Sequence, residues 1–517
     1  MSRVVPPEVE TRYGRVRGAE RHGVRSFLGI PYAAAPVGER RFAAPARAER
    51  WDGVRDATRH GAACPQPKLS YGGSETNRFA ELFGAGDLRM DEDCLNLNVF
   101  APTTATPSDP KPVMVWIHGG AFRIGTGASP LYDGSSLARS GDVLVVSINY
   151  RLGVLGFLNL NEVGPANAGL LDQIAALRWV QEEIAAFGGD PGNVTIFGES
   201  AGAKSVECLA ASPLARGLFR RAIAQSTYES PMDPEPAAEA ARAVLADLGV
   251  SAGDRRAVEG VEVDDLIDAM TRQSMAAMGA GGGFLGALGG WSPVVDGEVL
   301  PQRPVEAFAA GDASDIPMIL GTTRDEAGLF TAMMPMLAAM EEAALPAMLG
   351  MLLGDTTKAE HLVATYRQSR GEAISPVDVF VAAMTDRAFR QHSLRVAEAK
   401  AAHQADTWMY IFDWCALGEG GSSLGACHAL EIPFVFGTLD SPLGKLAGKG
   451  AEAEVLVEAM QGAWAAFARG GDPSTRRLEW PRFDTERRRT ATFGPKVEVR
   501  EAPLDEERRA WASLAAR

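Results

Sequence analysis

Gly198-Glu199-Ser200-Ala201-Gly202 is the stretch of this chain most able to do chemistry. It follows an apolar β-type run, Asn193-Val194-Thr195-Ile196-Phe197, and opens a small-residue stretch that can start a helix. A G-x-S-x-G pattern between strand and helix is a nucleophile elbow. The turn is tight and its serine strained, so small residues two before and two after it are needed. The serine oxygen then stands above the sheet, and the N–H of Ala201 points at the same spot. A serine hydroxyl is a poor nucleophile unless a base takes its proton, a carboxylate orients that base, and donors meet the developing oxyanion. Each part can be sought separately.

Donors are supplied by His118-Gly119-Gly120-Ala121-Phe122, directly after the strand-like run Val113 to Ile117. Glycines let bare backbone approach a substrate, so the N–H groups of Gly119, Gly120 and Ala201 are expected to converge on the oxyanion. The base follows by elimination among seven histidines. In this class of fold the order is serine, acid, histidine, which leaves His361, His392, His403 and His428. The first three sit in polar, helix-like segments and are expected on the surface. His428 lies in a loop ahead of an apolar run, where a base belongs. The acid should follow a strand between Ser200 and His428. Leu320-Gly-Thr-Thr-Arg-Asp325-Glu326 offers two neighbouring carboxylates, and periodicity does not choose between them.

The elements that must position these groups read as α/β. Val113–Ile117, Val143–Ile148, Pro317–Leu320 and Thr407–Phe412 are continuous apolar runs, the mark of strands buried on both faces. Between Leu170 and Phe187 the apolar spacing is helical, and Gly188-Gly189-Asp190-Pro191 should stop that helix. Alternating β and α units imply a mostly parallel sheet flanked by helices. Length alone suggests two to four domains, though large α/β enzymes often run as one, and no repeat or linker rich in Pro, Gly or Ser separates two. Two segments stand apart. Met275 to Gly290 is glycine-rich; its Gly281-x-Gly283-x-x-Gly286 has no preceding strand or following acid, and is read as a loop rather than a dinucleotide site. Phe330 to Met351 is rich in Met and Ala and is read as helical packing, the alternative being a mobile apolar wall over a substrate pocket. The most apolar stretch, Met333 to Leu353, is broken by Pro335, Glu341, Glu342 and Pro346, so no membrane span is expected.

A net charge of −15 argues against nucleic acid or an anionic membrane as partner. The N-terminus lacks an apolar h-region, so a cytoplasmic protein without a signal peptide is expected. The five cysteines form no C-x-x-C pair, and neither metal nor cofactor is expected. The expected state is a monomer or small homo-oligomer.

With these motifs in hand, the chain resembles the type-B carboxylesterase family, bacterial para-nitrobenzyl esterases in particular. The resemblance runs nearly end to end. It includes Gly29-Ile-Pro-Tyr32, Arg41-Phe42, Glu92-Asp-Cys-Leu-Asn-Leu-Asn98, Asn149-Tyr-Arg-Leu-Gly153, Gly169-Leu-Leu-Asp-Gln173, Phe187-Gly-Gly-Asp-Pro191 and Pro293-Val-Val-Asp-Gly297. It implies an α/β-hydrolase fold as one large domain over residues 1–517, with helical insertions around the pocket, and a serine carboxylesterase acting on a small-molecule ester through an acyl-enzyme. It implies the triad Ser200, Glu326 and His428, and so chooses Glu326 over Asp325. It also implies Glu199 and Ser226 as supporting residues behind the triad, and the ion pairs Arg41–Glu92 and Arg151–Asp172. Cys64 and Cys94 match a family disulfide pair, a bond left open here. Ala203, Thr227, Ala327 and Ala429 stand where the family usually has glycine, which bears on pocket size. No tryptophan lies between Cys64 and Cys94, so choline esters are not expected substrates. Phe122, Tyr228, Trp291, Phe330 and Met334 are candidates for an apolar pocket. The same triad would also serve carbamates, amides or aromatic polyesters, and the same fold also serves non-catalytic adhesion modules.

Overall fold

The computed structural model describes residues 6–515 apart from 68–80, 85–87, 231, 278–290, 333, 335–336, 338–339 and 416–423. The glycine motif at 281–286 therefore lies outside the described residues.

Fourteen strands are described: β1 (Glu8–Glu10), β2 (Arg15–Arg17), β3 (Ala19–Arg21), β4 (Val24–Pro31), β5 (Val54–Asp56), β6 (Asn96–Pro102), β7 (Lys111–Ile117), β8 (Leu144–Ile148), β9 (Gly189–Glu199), β10 (Arg221–Gln225), β11 (Met318–Thr323), β12 (Thr407–Phe412), β13 (Thr490–Phe493) and β14 (Val497–Arg500). Eleven of them form one sheet, ordered β14-β13-β12-β11-β10-β9-β7-β8-β6-β4-β3. From β8 through β13 every neighbour is parallel, and antiparallel strands close both edges. β1, β2 and β5 make a small separate sheet.

The continuous apolar runs are explained by alternation across this sheet. Val113, Val115 and Ile117 of β7 enter one core with Val146, Ile148 and Ile196. Met114 and Trp116 enter the other with Val145, Phe197 and Trp464. Each face is covered, so every second residue needs an apolar partner on its own side. A third cluster, with Leu345, Leu349, Leu362, Tyr366 and Val379, is built by helices inserted after β11, as the Met- and Ala-rich segment suggested.

The expected helix runs from Ala168 to Glu183 and tightens into a 3-10 turn through Phe187. Gly188, at φ +87°, ends it in a left-handed conformation. The stop is shorter than expected, because β9 already begins at Gly189, paired with Lys111.

Parallel order brings the carboxyl ends of β7, β9, β10, β11 and β12 side by side. Open α/β sheets place their ligands beyond such ends, and all three expected catalytic groups follow strands of this set.

Candidate active site

Only Ser200 separates β9 from the helix Ala201–Ala211. Its φ/ψ of +57°/−120° is a left-handed-side conformation that an L-residue adopts at a cost. The reason lies two residues away on each side. A Cβ on Gly202 would sit 1.9 Å from the Ile117 carbonyl oxygen, and one on Gly198 would sit 2.6 Å from the Gly202 carbonyl carbon. Strand, helix and the end of β7 thus touch through bare backbone. Ser200 N–H donates to Gln225 O at 2.9 Å, which fixes the turn to β10. As the first residue of the helix, Ala201 has an N–H without an intrahelical acceptor.

The glycine loop after β7 packs against this turn. A Cβ on Gly119 would lie 3.1 Å from Ser200 Cβ and 2.9 Å from Glu199 Oε2. Gly120, at φ +107°, has the Ile124 carbonyl 2.1 Å from where a Cβ would be. His118 anchors the loop: its ring stacks on Tyr150 at 4.6 Å, and Tyr150 Oη donates to His118 O at 2.9 Å. Burial lowers the His118 pKa to about 4, so this imidazole is neutral and structural.

Glu326 and His428 meet from loops after β11 and β12. His428 Nδ1 lies 2.5 Å from Glu326 Oε2, and Thr323 N–H donates to Glu326 Oε1 at 2.8 Å. His428 N–H donates to Glu326 O at 3.3 Å, tying the two loops as well as the two side chains. His428 Nε2 faces Glu199 Oε1 at 3.0 Å. Among the described residues neither Ser200 Oγ nor Glu199 Oε1 makes a hydrogen bond, so the Glu199 carboxylate faces His428 Nε2 without bonding it. Burial alone would lower the His428 pKa, but Glu199 and Glu326 outweigh it and hold it well above the usual value. Burial raises the Glu199 carboxyl, against the pull of His428.

Asp325 does separate work. Its Oδ2 accepts from Ala426 N–H at 3.0 Å and its N–H donates to Ala426 O at 3.0 Å, a second clasp between the acid and histidine loops. Arg324 holds the same carboxylate at 2.8 Å. Ser226 is fully buried at φ +56°, its Oγ unpaired among the described residues. Ala429, beside His428, has φ +68°, which accounts for glycine being usual there in the resembling family. Arg41–Glu92 and Arg151–Asp172 both form bidentate pairs. Cys64 and Cys94 are free, buried thiols.

The pocket candidates separate. Phe330 lies 5.1 Å from the His428 ring, and Tyr228 packs at 6.1 Å on Phe389. Phe122 is completely buried in the core, edge-on to Phe157, because left-handed φ values at Ala121 and Phe122 turn the ring inward. Trp291 also lies in that core, and Met334 packs on the third cluster.

Three features escaped the sequence reading. Phe389 lies 5.0 Å from the His428 ring and stacks on Phe330 at 6.2 Å. It sits in a π-helical turn, Asp386–Arg390, a distortion frequent at functional sites. Glu431 is fully buried three residues after His428, and burial, with repulsion from Glu199 and Glu326, pushes its carboxyl up to about 8. Its position within the same loop motif was a usable signal. His392, expected on the surface, is buried and faces Glu207, because the elbow helix presents charged groups to it.

The Carboxylesterase family model matches residues 5–511. The chain belongs to the carboxylesterase family. It is 43% identical over 509 residues to the para-nitrobenzyl esterase of Bacillus subtilis (strain 168), covering 97% of each chain. It is 36% identical to the phenmedipham hydrolase of Pseudarthrobacter oxydans, over 93% of each. A solved thermophilic PNB esterase superposes with a TM-score of 0.83 at 39% identity, covering 98% of this chain and all of that one. This carboxylesterase therefore has the α/β-hydrolase fold and hydrolyses carboxylic esters of small molecules. Among the described residues, no helix is long and apolar enough to cross a membrane.

Proposed function

We propose that Ser200, His428 and Glu326 carry this ester hydrolysis, with Gly119, Gly120 and Ala201 N–H groups as the oxyanion hole. The observation that carries the reading is the His428 Nδ1–Glu326 contact at 2.5 Å beside a serine held at positive φ. When an ester enters, neutral His428, its proton on Nδ1 toward Glu326, presents the Nε2 lone pair to Ser200 and accepts its proton as Oγ attacks the carbonyl carbon. Negative charge develops on the carbonyl oxygen and is met by the backbone donors; one such donor is worth ~10²–10³ in rate. The tetrahedral intermediate collapses, the ester C–O bond breaks, and the imidazolium returns its proton to the leaving alkoxide. Water then gives a proton to His428 and attacks the acyl carbon; the acyl C–Oγ bond breaks, His428 returns the proton to Ser200 Oγ, and the carboxylic acid leaves.

Phe330 and Phe389, flanking His428, favour esters of small to medium size with an apolar or aromatic group. The test is initial rates on para-nitrophenyl esters from acetate to dodecanoate, for wild type and Ser200→Ala. Wild type should turn over the shorter esters, and the variant should lose about 10⁶-fold in kcat, to background. Equal rates for the two would sink the assignment.

A further inference from the structure

The elbow helix carries two charged side chains into the interior that ester cleavage does not require. Lys204 and Glu207 are 2% and 0% exposed, and Lys204 Nζ donates to Glu207 Oε2 at 2.7 Å. Lys204 Nζ also lies 3.0 Å from His392 Nε2, and that nitrogen is 3.1 Å from Glu207 Oε2. His392 Nδ1 faces Glu229 at 3.3 Å, and Glu229 pairs with Arg395 at the surface. Two neighbouring residues of the turn after β10 are held by the same cluster. Thr227 Oγ1 donates to Glu207 Oε1 at 2.7 Å, and the Lys204 ammonium lies 5.9 Å from the Tyr228 ring centre. Tyr228 backs Phe389, and Phe389 packs on His428.

Burying an ion pair is costly, and apolar residues of equal volume commonly hold a fold as well or better. What the pair supplies here is geometry: a fixed ammonium under an aromatic face and a fixed acceptor for Thr227. We propose that Lys204 is a positioning residue which, with Glu207 and His392, holds Tyr228 and so the Phe389 wall beside His428, and that it thereby sets acyl-chain selectivity. The proposal rests on the ester-hydrolase reading of the site given above.

The experiment compares kcat/KM on para-nitrophenyl acetate and octanoate for wild type, Lys204→Met, Tyr228→Leu and their combination. A freed wall admits the longer chain, so the octanoate-to-acetate ratio should rise about tenfold in Lys204→Met. Tyr228→Leu should raise it comparably, and Lys204→Met should add nothing further in that background. Where Lys204→Met does not fold, Lys204→Met/Glu207→Gln, which removes both charges at similar volume, carries the same reading. A ratio within about twofold of wild type in a folded variant, or independent effects of positions 204 and 228, overturns the proposal. Undiminished turnover by Ser200→Ala would overturn the catalytic reading instead.

Discussion

Glu326→Gln is a sharp test of the triad because the structure dictates how the new amide must sit. Glu326 Oε1 accepts from the Thr323 N–H at 2.8 Å. A donor cannot replace that oxygen without leaving a buried N–H facing another N–H, so the amide oxygen must take this place. The amide NH₂ then faces His428 Nδ1, where Glu326 Oε2 stood at 2.5 Å. A donor there forces Nδ1 to accept, and the imidazole proton moves to Nε2. Glu199 Oε1, at 3.0 Å from Nε2, stabilises that wrong tautomer. The base then has no lone pair for the serine. Removing an opposite charge within about 4 Å, at an effective dielectric near 20, costs about 4 kcal/mol, or close to 10³ in rate. The tautomer effect alone has cost ~10⁴ in a serine-protease triad. We therefore expect kcat on para-nitrophenyl butyrate to fall by about 10³–10⁴, with KM nearly unchanged. The fold should survive, since the amide replaces the carboxylate atom for atom. A folded variant losing less than about tenfold would refute the argument that Glu326 fixes the His428 tautomer.

Glu199→Gln should move the acid limb of the kcat/KM–pH profile to lower pH. The His428 pKa is held up by Glu199 and Glu326 against burial. The base works only when neutral, above that pKa, so removing one carboxylate lowers the pKa and extends activity downward; an unmoved limb would refute the coupling. Asp172→Asn leaves Arg151 buried without its anion. Three bonds to Asp172, at 2.7, 2.6 and 3.1 Å, weaken together. The expected loss is about 3–5 kcal/mol by denaturant titration, and less than about 1 kcal/mol would contradict it.

What could be read in advance was whatever chemistry is local in the chain. Gly198 and Gly202 flank a serine because a backbone crossing forbids side chains there, and that crossing involves residues four apart. The Gly119-Gly120 loop directly follows its strand, so sequence order alone placed it. The pocket was opaque for the opposite reason. Phe389 reaches His428 through a π-turn sixty residues after the acid, and no period announces it. Phe122 adjoins the glycine loop in sequence, yet two left-handed residues turn it away. His392 lies on a helix whose sequence is polar enough for solvent, and it is buried only because Lys204 and Glu207 approach from a helix nearly two hundred residues earlier. Asp325 and Glu326 adjoin, yet one clasps Ala426 and the other His428. Neighbours on a turn point apart, and composition does not say which way.

The electrostatics of the site follow from how many donors each buried carboxylate receives. Glu326 takes two, from Thr323 and His428. Glu199 faces His428 alone, and its carboxyl is raised by burial. Burial, with repulsion from Glu199 and Glu326, pushes the Glu431 carboxyl up to about 8, and Gln225 Nε2 donates to its Oε1 at 3.3 Å. The carboxylates that raise His428 are Glu199 and Glu326. In the proposed mechanism Glu326, bonded to Nδ1 at 2.5 Å, is the partner that favours the imidazolium as it forms. Glu199 acts on the Nε2 side by charge alone, 3.0 Å away and raising the His428 pKa, and for that reason the acid limb of activity should respond to Glu199.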